Sequence, residues 1–292
     1  MNPYLSMVNS YDRLQRDGKG LPLGLRLPCA RPEVNSAAPK AMIFSPHPDD
    51  ECIIGALPLR LLRQSGYRVI NVAVTQGSNA DRQSGRWEEL KAACEYLGFE
   101  VIATSPTGLL NVNAPTREKD PVFWAASVST IVNILKETKP SVIFFPHEQD
   151  WNSSHIGTHW LVRDALMQLG SDYKCSTVET EFWGQNSRPN LMVESTNEDV
   201  ADLVTGTSFH VGEVTRNPFH LFLPAWMQDN VRRGSELVGG QGQAAPDFTF
   251  ATLYRLRQWN GSGFEEVYSG GRTLPSNLSP LTLFNNVNLT GT

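Results

Sequence analysis

Residues 41–51 read Ala41-Met42-Ile43-Phe44-Ser45-Pro46-His47-Pro48-Asp49-Asp50-Glu51. A short apolar run passes into a loop that carries one imidazole and three carboxylates, and a stretch of helical character follows. In an α/β protein the carboxyl end of a strand is where ligands bind. Histidine and aspartate are also ligands for a borderline metal such as zinc. The same residues suit a plain helix start, because Asp caps helices and acids in a first turn complement the helix dipole. The stretch alone does not choose between these readings.

Outward from it the pattern is βαβα. The strand over residues 41–45 leads to a helix over about 50–64, which Pro58 kinks or breaks. A buried strand spans 69–74. A Gly/Ser/Asn loop over 76–85 follows and lacks the GxGxxG of a dinucleotide site. A helix over 86–97 closes at Gly98, a good C′ residue. A third strand covers 101–104, and a helix covers 122–138 with Pro140 just beyond it. The fourth strand, 142–145, is continuously apolar, as a strand covered on both faces should be. This alternation predicts an α/β fold: a Rossmann-like, mostly parallel sheet flanked by helices, with right-handed crossovers.

A second polar cluster, Pro146-His147-Glu148-Gln149-Asp150-Trp151-Asn152-Ser153-Ser154-His155-Ile156-Gly157-Thr158-His159, ends that fourth strand. Ser153 or Ser154 can cap a helix, which puts His155 and His159 four apart on one face. A lone helical histidine is usually a hydrogen-bonded structural residue. Here the imidazoles share a sheet edge with His47 and Asp50. Two ligand-rich loops on one edge can assemble a three-ligand catalytic metal site.

With both clusters in view, the chain resembles the LmbE/PIG-L family of zinc-dependent de-N-acetylases. The Pro-His-Pro-Asp-Asp-Glu stretch at 46–51 is similar to that family's first motif. Arg86, Glu89, Ala93, Leu97 and Gly98 fall at the spacings of its intervening helix, and His155 lies in the place of its second cluster. The likeness covers about residues 40–170. Beyond it, Ser208-Phe209-His210 weakly resembles a late histidine segment. The resemblance implies one zinc ion per chain, held by His47, Asp50 and His155. It implies Asp49 as general base and a bracing role for Glu51. The reaction implied is removal of an acetyl or other acyl group from the amide nitrogen of an N-acetylated amino sugar or glycoconjugate. A metalloamidase acting on a non-sugar amine, or a non-catalytic metal- or sugar-binding relative, stays open.

The chain departs from the family where a histidine and an aspartate usually stand, at Asn152 and Ser154. Asn152 can still donate to an oxyanion, but it is no acid near neutrality. The proton for the leaving amine then falls to Asp49 acting twice or to another histidine: His159, His210, His147 or His220. Asp150 is read either as an Asx-turn residue or as the carboxylate that fixes a ligand histidine or meets substrate. Arg86 either holds a polar group of the substrate or pairs with Glu88 or Glu89.

The remainder of the 292 residues is read as three parts. Residues 1–40, polar and turn-rich, read as an extended arm laid on the body or contributed to a neighbour. Residues 41–270 form one α/β domain, with a core over 41–170 and a lid or extension over 171–270. The extension holds a strand over 176–183, a helix over 197–205, an aromatic segment over 216–227 and a hairpin of 248–257 with 264–268. Arg232 and Arg233 read as surface charges or intersubunit contacts. Residues 271–292 read as a tail. The net charge of −5 shows no nucleic-acid footprint. No apolar run is long enough to span a bilayer. The four cysteines are scattered, which suits free thiols and a cytoplasmic setting. The arm and the exposed aromatic segments allow a homo-oligomer.

Overall fold

The structure, a computed structural model, describes residues 2–25 and 32–284. Cys29 and the last residues of the expected tail lie outside them. In chain order the helices are α1 (Leu5–Gly18), α2 (Leu57–Ser65), α3 (Ala80–Leu97), α4 (Ala114–Lys119), α5 (Pro121–Thr138), α6 (Ser153–Leu169), α7 (Asn197–Ser208), α8 (Val211–Val214) and α9 (Leu223–Leu237). The strands are β1 (Lys40–Ser45), β2 (Arg68–Ala73), β3 (Glu100–Ala103), β4 (Val142–Pro146), β5 (Cys175–Thr180), β6 (Leu191–Ser195), β7 (Phe250–Trp259), β8 (Phe264–Glu266) and β9 (Arg272–Leu274).

The strands form one sheet ordered β3-β2-β1-β4-β5-β7-β6-β9, with β8 paired to β7. From β3 to β5 every pairing is parallel. The fold is therefore a mixed α/β sheet, mostly parallel and flanked by helices. The pleat divides its core in two. Ala41, Ile43 and Phe144 face Leu57, Leu61, Leu90 and Leu97 of α2 and α3. Met42, Phe44 and Phe145 face Trp124, Ile131, Leu135, Leu161 and Val162 of α5 and α6. Both faces are covered, which is why these strands are apolar runs rather than alternating ones. The strand order reverses between β1 and β4, so the loops that follow them flank the switch-point crevice. Among the described residues no helix is long and apolar enough to cross a membrane.

Several elements depart from the sequence reading. Residues 47–56 form turns and α2 starts only at Leu57, with Pro58 in its first turn, where a missing N–H costs nothing and no kink results. The acids at 49–51 do not cap a helix because their side chains turn into the protein. The Gly/Ser/Asn loop is shorter than expected: the Asn79 side chain accepts from the Asp81 N–H and starts α3 at Ala80. The arm contains a helix, α1, tied to the body by Tyr11 Oη donating to Gln228 and Gln15 donating to the Leu221 carbonyl. β6 and α9 were not foreseen. Arg233 is buried and forks onto Glu181, at 2.8 and 3.0 Å, instead of facing solvent.

The expected tail is also part of the body. β9 adds in parallel to β6, and a 3-10 turn at Pro280–Leu283 packs on α2. Buried Arg60 joins these pieces. Its guanidinium donates to the carbonyls of Glu194 (3.0 Å), Pro275 (2.8 Å) and Leu278 (2.7 Å).

Candidate active site

Three side chains meet in the switch-point crevice. His47 and Asp50 come from the turns after β1, and His155 from the first turn of α6, after β4. His155 Nε2 is 3.3 Å from His47 Nδ1 and 3.4 Å from Asp50 Oδ2, and His47 Nδ1 is 3.5 Å from Asp50 Oδ2. A tetrahedral ion with bonds of about 2.0–2.1 Å separates its ligand atoms by about 3.3–3.4 Å. The triangle therefore has the edge lengths of such a site. Asp50 Oδ1 is buried without a hydrogen-bond partner, which is costly in a purely structural carboxylate. These residues fit a divalent metal.

The outer contacts orient the triangle. His155 Nδ1 is 3.5 Å from Asp150 Oδ2, and both residues are buried. Asp150 is fixed in turn by the Asn152 and Gly184 N–H groups, at 2.8 and 3.1 Å. The contact fits the ligand-orienting role and leaves Asp150 behind the histidine, away from a substrate. Burial opposes a charge on His155, but Asp50 and Asp150 outweigh it and push its pKa up to about 10. Burial would also raise Asp50; the two imidazoles more than reverse that and hold it below the ordinary carboxylate range.

Asp49 stands beside the triangle with its own constraints. Its φ is +118°, a region that side-chain-bearing residues rarely adopt. Such backbone strain costs on the order of 1–3 kcal/mol and persists only where the surroundings impose it. Here the Asp49 N–H donates to Glu51 Oε2 at 3.0 Å, and Glu51 Oε1 takes a 2.7 Å bond from His210 Nε2. Burial, helped by the neighbouring Asp50, raises the Asp49 pKa well above its usual value. Arg86 approaches from the other side. Its Nη2 donates to the Pro48 carbonyl at 2.9 Å and lies 3.9 Å from Asp49 Oδ2, while its Nε is 3.7 Å from Glu213. Neither Glu88 nor Glu89, the alternative partners for Arg86, fills that place. Gly77 lets the guanidinium pass: a Cβ there would sit 2.4 Å from Arg86 Nη1.

The remaining candidates stand outside the ligand triangle. Asn152 caps α6, its Oδ1 accepting from the Ser154 N–H at 2.9 Å. His159 Nδ1 donates to the Pro146 carbonyl at 3.0 Å, and burial drives its pKa down to about 4. It is thus neutral near pH 7 and a poor acid. His210 is buried behind Glu51 and reaches Asp49 only through it. His147 is held by two contacts, Nε2 to the Gly184 carbonyl at 2.8 Å and Nδ1 to the Gln149 N–H at 3.2 Å, which fit a bracing role. His220 is buried, and burial lowers its pKa. Sequence reasoning missed Glu213, which binds Arg82 and Arg216 as well as facing Arg86. It also missed Phe182, whose ring meets that of His155 edge-on at 4.9 Å. Neither residue sits in a motif, so no local signal marked it.

Comparison with known proteins bears on the fold and on the segment that carries these residues. A mycobacterial 1D-myo-inositol 2-acetamido-2-deoxy-alpha-D-glucopyranoside deacetylase, from Mycobacterium leprae, is 24% identical over 161 residues, 46% of this chain and 52% of that protein. The chain thus matches about half the length of this curated relative. Among solved structures, the N,N'-diacetylchitobiose deacetylase of Pyrococcus horikoshii aligns over 87% of this chain and 92% of its own, with TM-score 0.56 and 15% identity. The 4-carboxy-2-hydroxymuconate hydratase GalB of Pseudomonas putida aligns over 75% and 95%, with TM-score 0.55 and 14% identity. The fold alone therefore does not select a chemistry. The family model described as GlcNAc-PI de-N-acetylase, PIG-L, matches residues 42–166, the segment that carries both ligand loops and Asp49. Over that segment, the chain is similar to the PIG-L (LmbE-like) family.

Proposed function

We propose that this protein is a zinc-dependent N-deacetylase that removes an acetyl or other acyl group from the amide nitrogen of an N-acylated amino sugar or glycoconjugate. The observation that carries the reading is the His47–Asp50–His155 triangle with the unligated Asp49 carboxylate next to it. Zinc, one per chain, would be held by His47 Nδ1, Asp50 Oδ2 and His155 Nε2. Bound there, it would polarise the acyl carbonyl and make a water acidic. Asp49 takes the proton from the water that adds to the carbonyl carbon. As the C–N bond breaks, it hands that proton to the departing amine. Its raised pKa supports the double role, and the contacts that hold His147, His159 and His210 favour Asp49 over them. Asn152, which caps α6 three residues before His155, would supply an amide donor to the developing oxyanion. Arg86, held over Asp49, is suited to a hydroxyl or other polar group of the substrate. Cys52, Cys94 and Cys175 are buried free thiols, which supports a cytoplasmic setting.

The test is elemental analysis of the purified protein beside a free-amine assay on N-acetylglucosamine conjugates. We expect close to one zinc per chain and amine release that a chelator abolishes, with both lost in His155→Ala. Amide hydrolysis that persists after full metal removal would refute the reading.

A further inference from the structure

A cavity of about 200 Å³ opens next to the ligand triangle, lined by Ile53, Phe182, Trp183, Phe219, Leu223 and Trp226. Two of these residues join it to the site. The Phe182 ring stands edge-on to His155 at 4.9 Å, and Ile53 follows Asp50 by three residues in the same run of turns. Arg86, in contrast, reaches the site through Asp49. The triangle is thus approached by a charged residue through one member of the loop and by a hydrocarbon wall through another. An N-acyl amine has the same division when its amine side is polyhydroxylated and its acyl side is a chain.

We propose that this cavity is an acyl-chain subsite, and that the preferred substrates carry an N-linked hydrocarbon acyl group longer than acetyl. The proposal rests on the deacylase reading and specifies which acyl group is removed. An apolar cavity of about 150 Å³ holds a benzene molecule, so the volume here suits on the order of six to eight carbons. The methyl of an acetyl group would leave most of it empty, and an unfilled apolar void forfeits dispersion contacts. A sugar ring fits it poorly, because the lining offers no polar group besides indole N–H and buried hydroxyls need partners. Phe222 also lines the cavity and is 53% exposed, so a chain can enter past it from solvent. The reaction consumes one water: the C–N bond breaks, the carbonyl carbon gains the hydroxyl as a fatty carboxylate, and the amine leaves protonated.

The experiment uses the metal-loaded full chain and glucosamine acylated with two, four, six or eight carbons, read by free-amine release. Burial of each methylene predicts a rise in kcat/KM of about threefold to fourfold, levelling off near six to eight carbons. In Leu223→Trp, which narrows the cavity, the ratio of octanoyl to acetyl kcat/KM falls at least tenfold. Because the ratio is taken within one variant, partial misfolding cancels. Independently, calorimetry should detect octanoate binding to the wild type and not to Leu223→Trp. A kcat/KM that is flat or falls with chain length overturns the proposal. So does a gain confined to the octyl glycoside of N-acetylglucosamine, which would put an aglycone in the cavity. If no amide of any length is cleaved, the deacylase reading falls on its own; octanoate that also fails to bind then removes the chain subsite as well.

Discussion

Asp49 combines a strained backbone, a raised pKa and no place in the ligand triangle, and each property has a separable consequence. Asp49→Asn keeps the shape and the Glu51 contact but cannot take a proton. Its kcat should fall by about 10²–10⁴, the usual worth of a general base, with metal content unchanged. Parallel elemental analysis and turnover check this; full activity in that variant would end the assignment. His155 gives a prediction in pH. Its folded pKa is about 10, against about 6.5 for an ordinary histidine. The folded value is raised, so in the metal-stripped protein the ion pairs with Asp50 and Asp150 stabilise fully below about pH 6.5. That contribution fades as pH rises and is gone above about 10. Metal must displace the same proton, so zinc affinity should strengthen with pH over this window. Competition titrations at several pH values decide it; an affinity independent of pH would contradict the prediction. In residues, the site was partly legible. His47, Asp50 and His155 stood out because polar ligands ending two apolar strands are unusual. The Glu51–His210 pair was invisible, because its members are 159 residues apart and no pattern connects them.

At the scale of elements, α6 places His155 only because it can lie close to the loop before α4. Gly157 makes that approach: a Cβ there would be 2.3 Å from the Val112 carbonyl oxygen. The obstacle is backbone and cannot rotate away. Gly157→Ala should therefore destabilise the fold by about 1–3 kcal/mol and displace the start of α6. Zinc affinity should weaken although no ligand is changed. Denaturant melts and metal titration on one preparation test both; an unchanged affinity would show that α6 does not set the triangle. The elements themselves were unequally legible. β1, β2 and β4 could be read because a strand buried on both faces is a continuous apolar run bounded by turn residues. The start of α2 could not, because the acids that look like its first turn serve the crevice instead. α1, β6, α9 and β9 are settled by contacts distant in sequence, which leave no local period.

Across the whole molecule, Arg60 ties α2 to β6 and to the segment after β9 through backbone carbonyls alone. Arg60→Ala would strand several buried acceptors at once. We expect a loss of roughly 3–5 kcal/mol, read as a lower denaturant midpoint; a midpoint equal to wild type would mean those carbonyls find other partners. The sheet order has a further consequence. β7 is inserted between β5 and β6, although both precede it in the chain. During synthesis at about 5–20 residues per second, roughly 4–16 s pass between completion of β5 at residue 180 and of β7 at residue 259. Through that interval β5 has an open edge, and Leu191–Ser195 has no strand to pair with. An emerging chain in this state presents an open strand edge and an unpaired apolar segment, the features that favour wrong pairing, and that exposure ends only when β7 arrives.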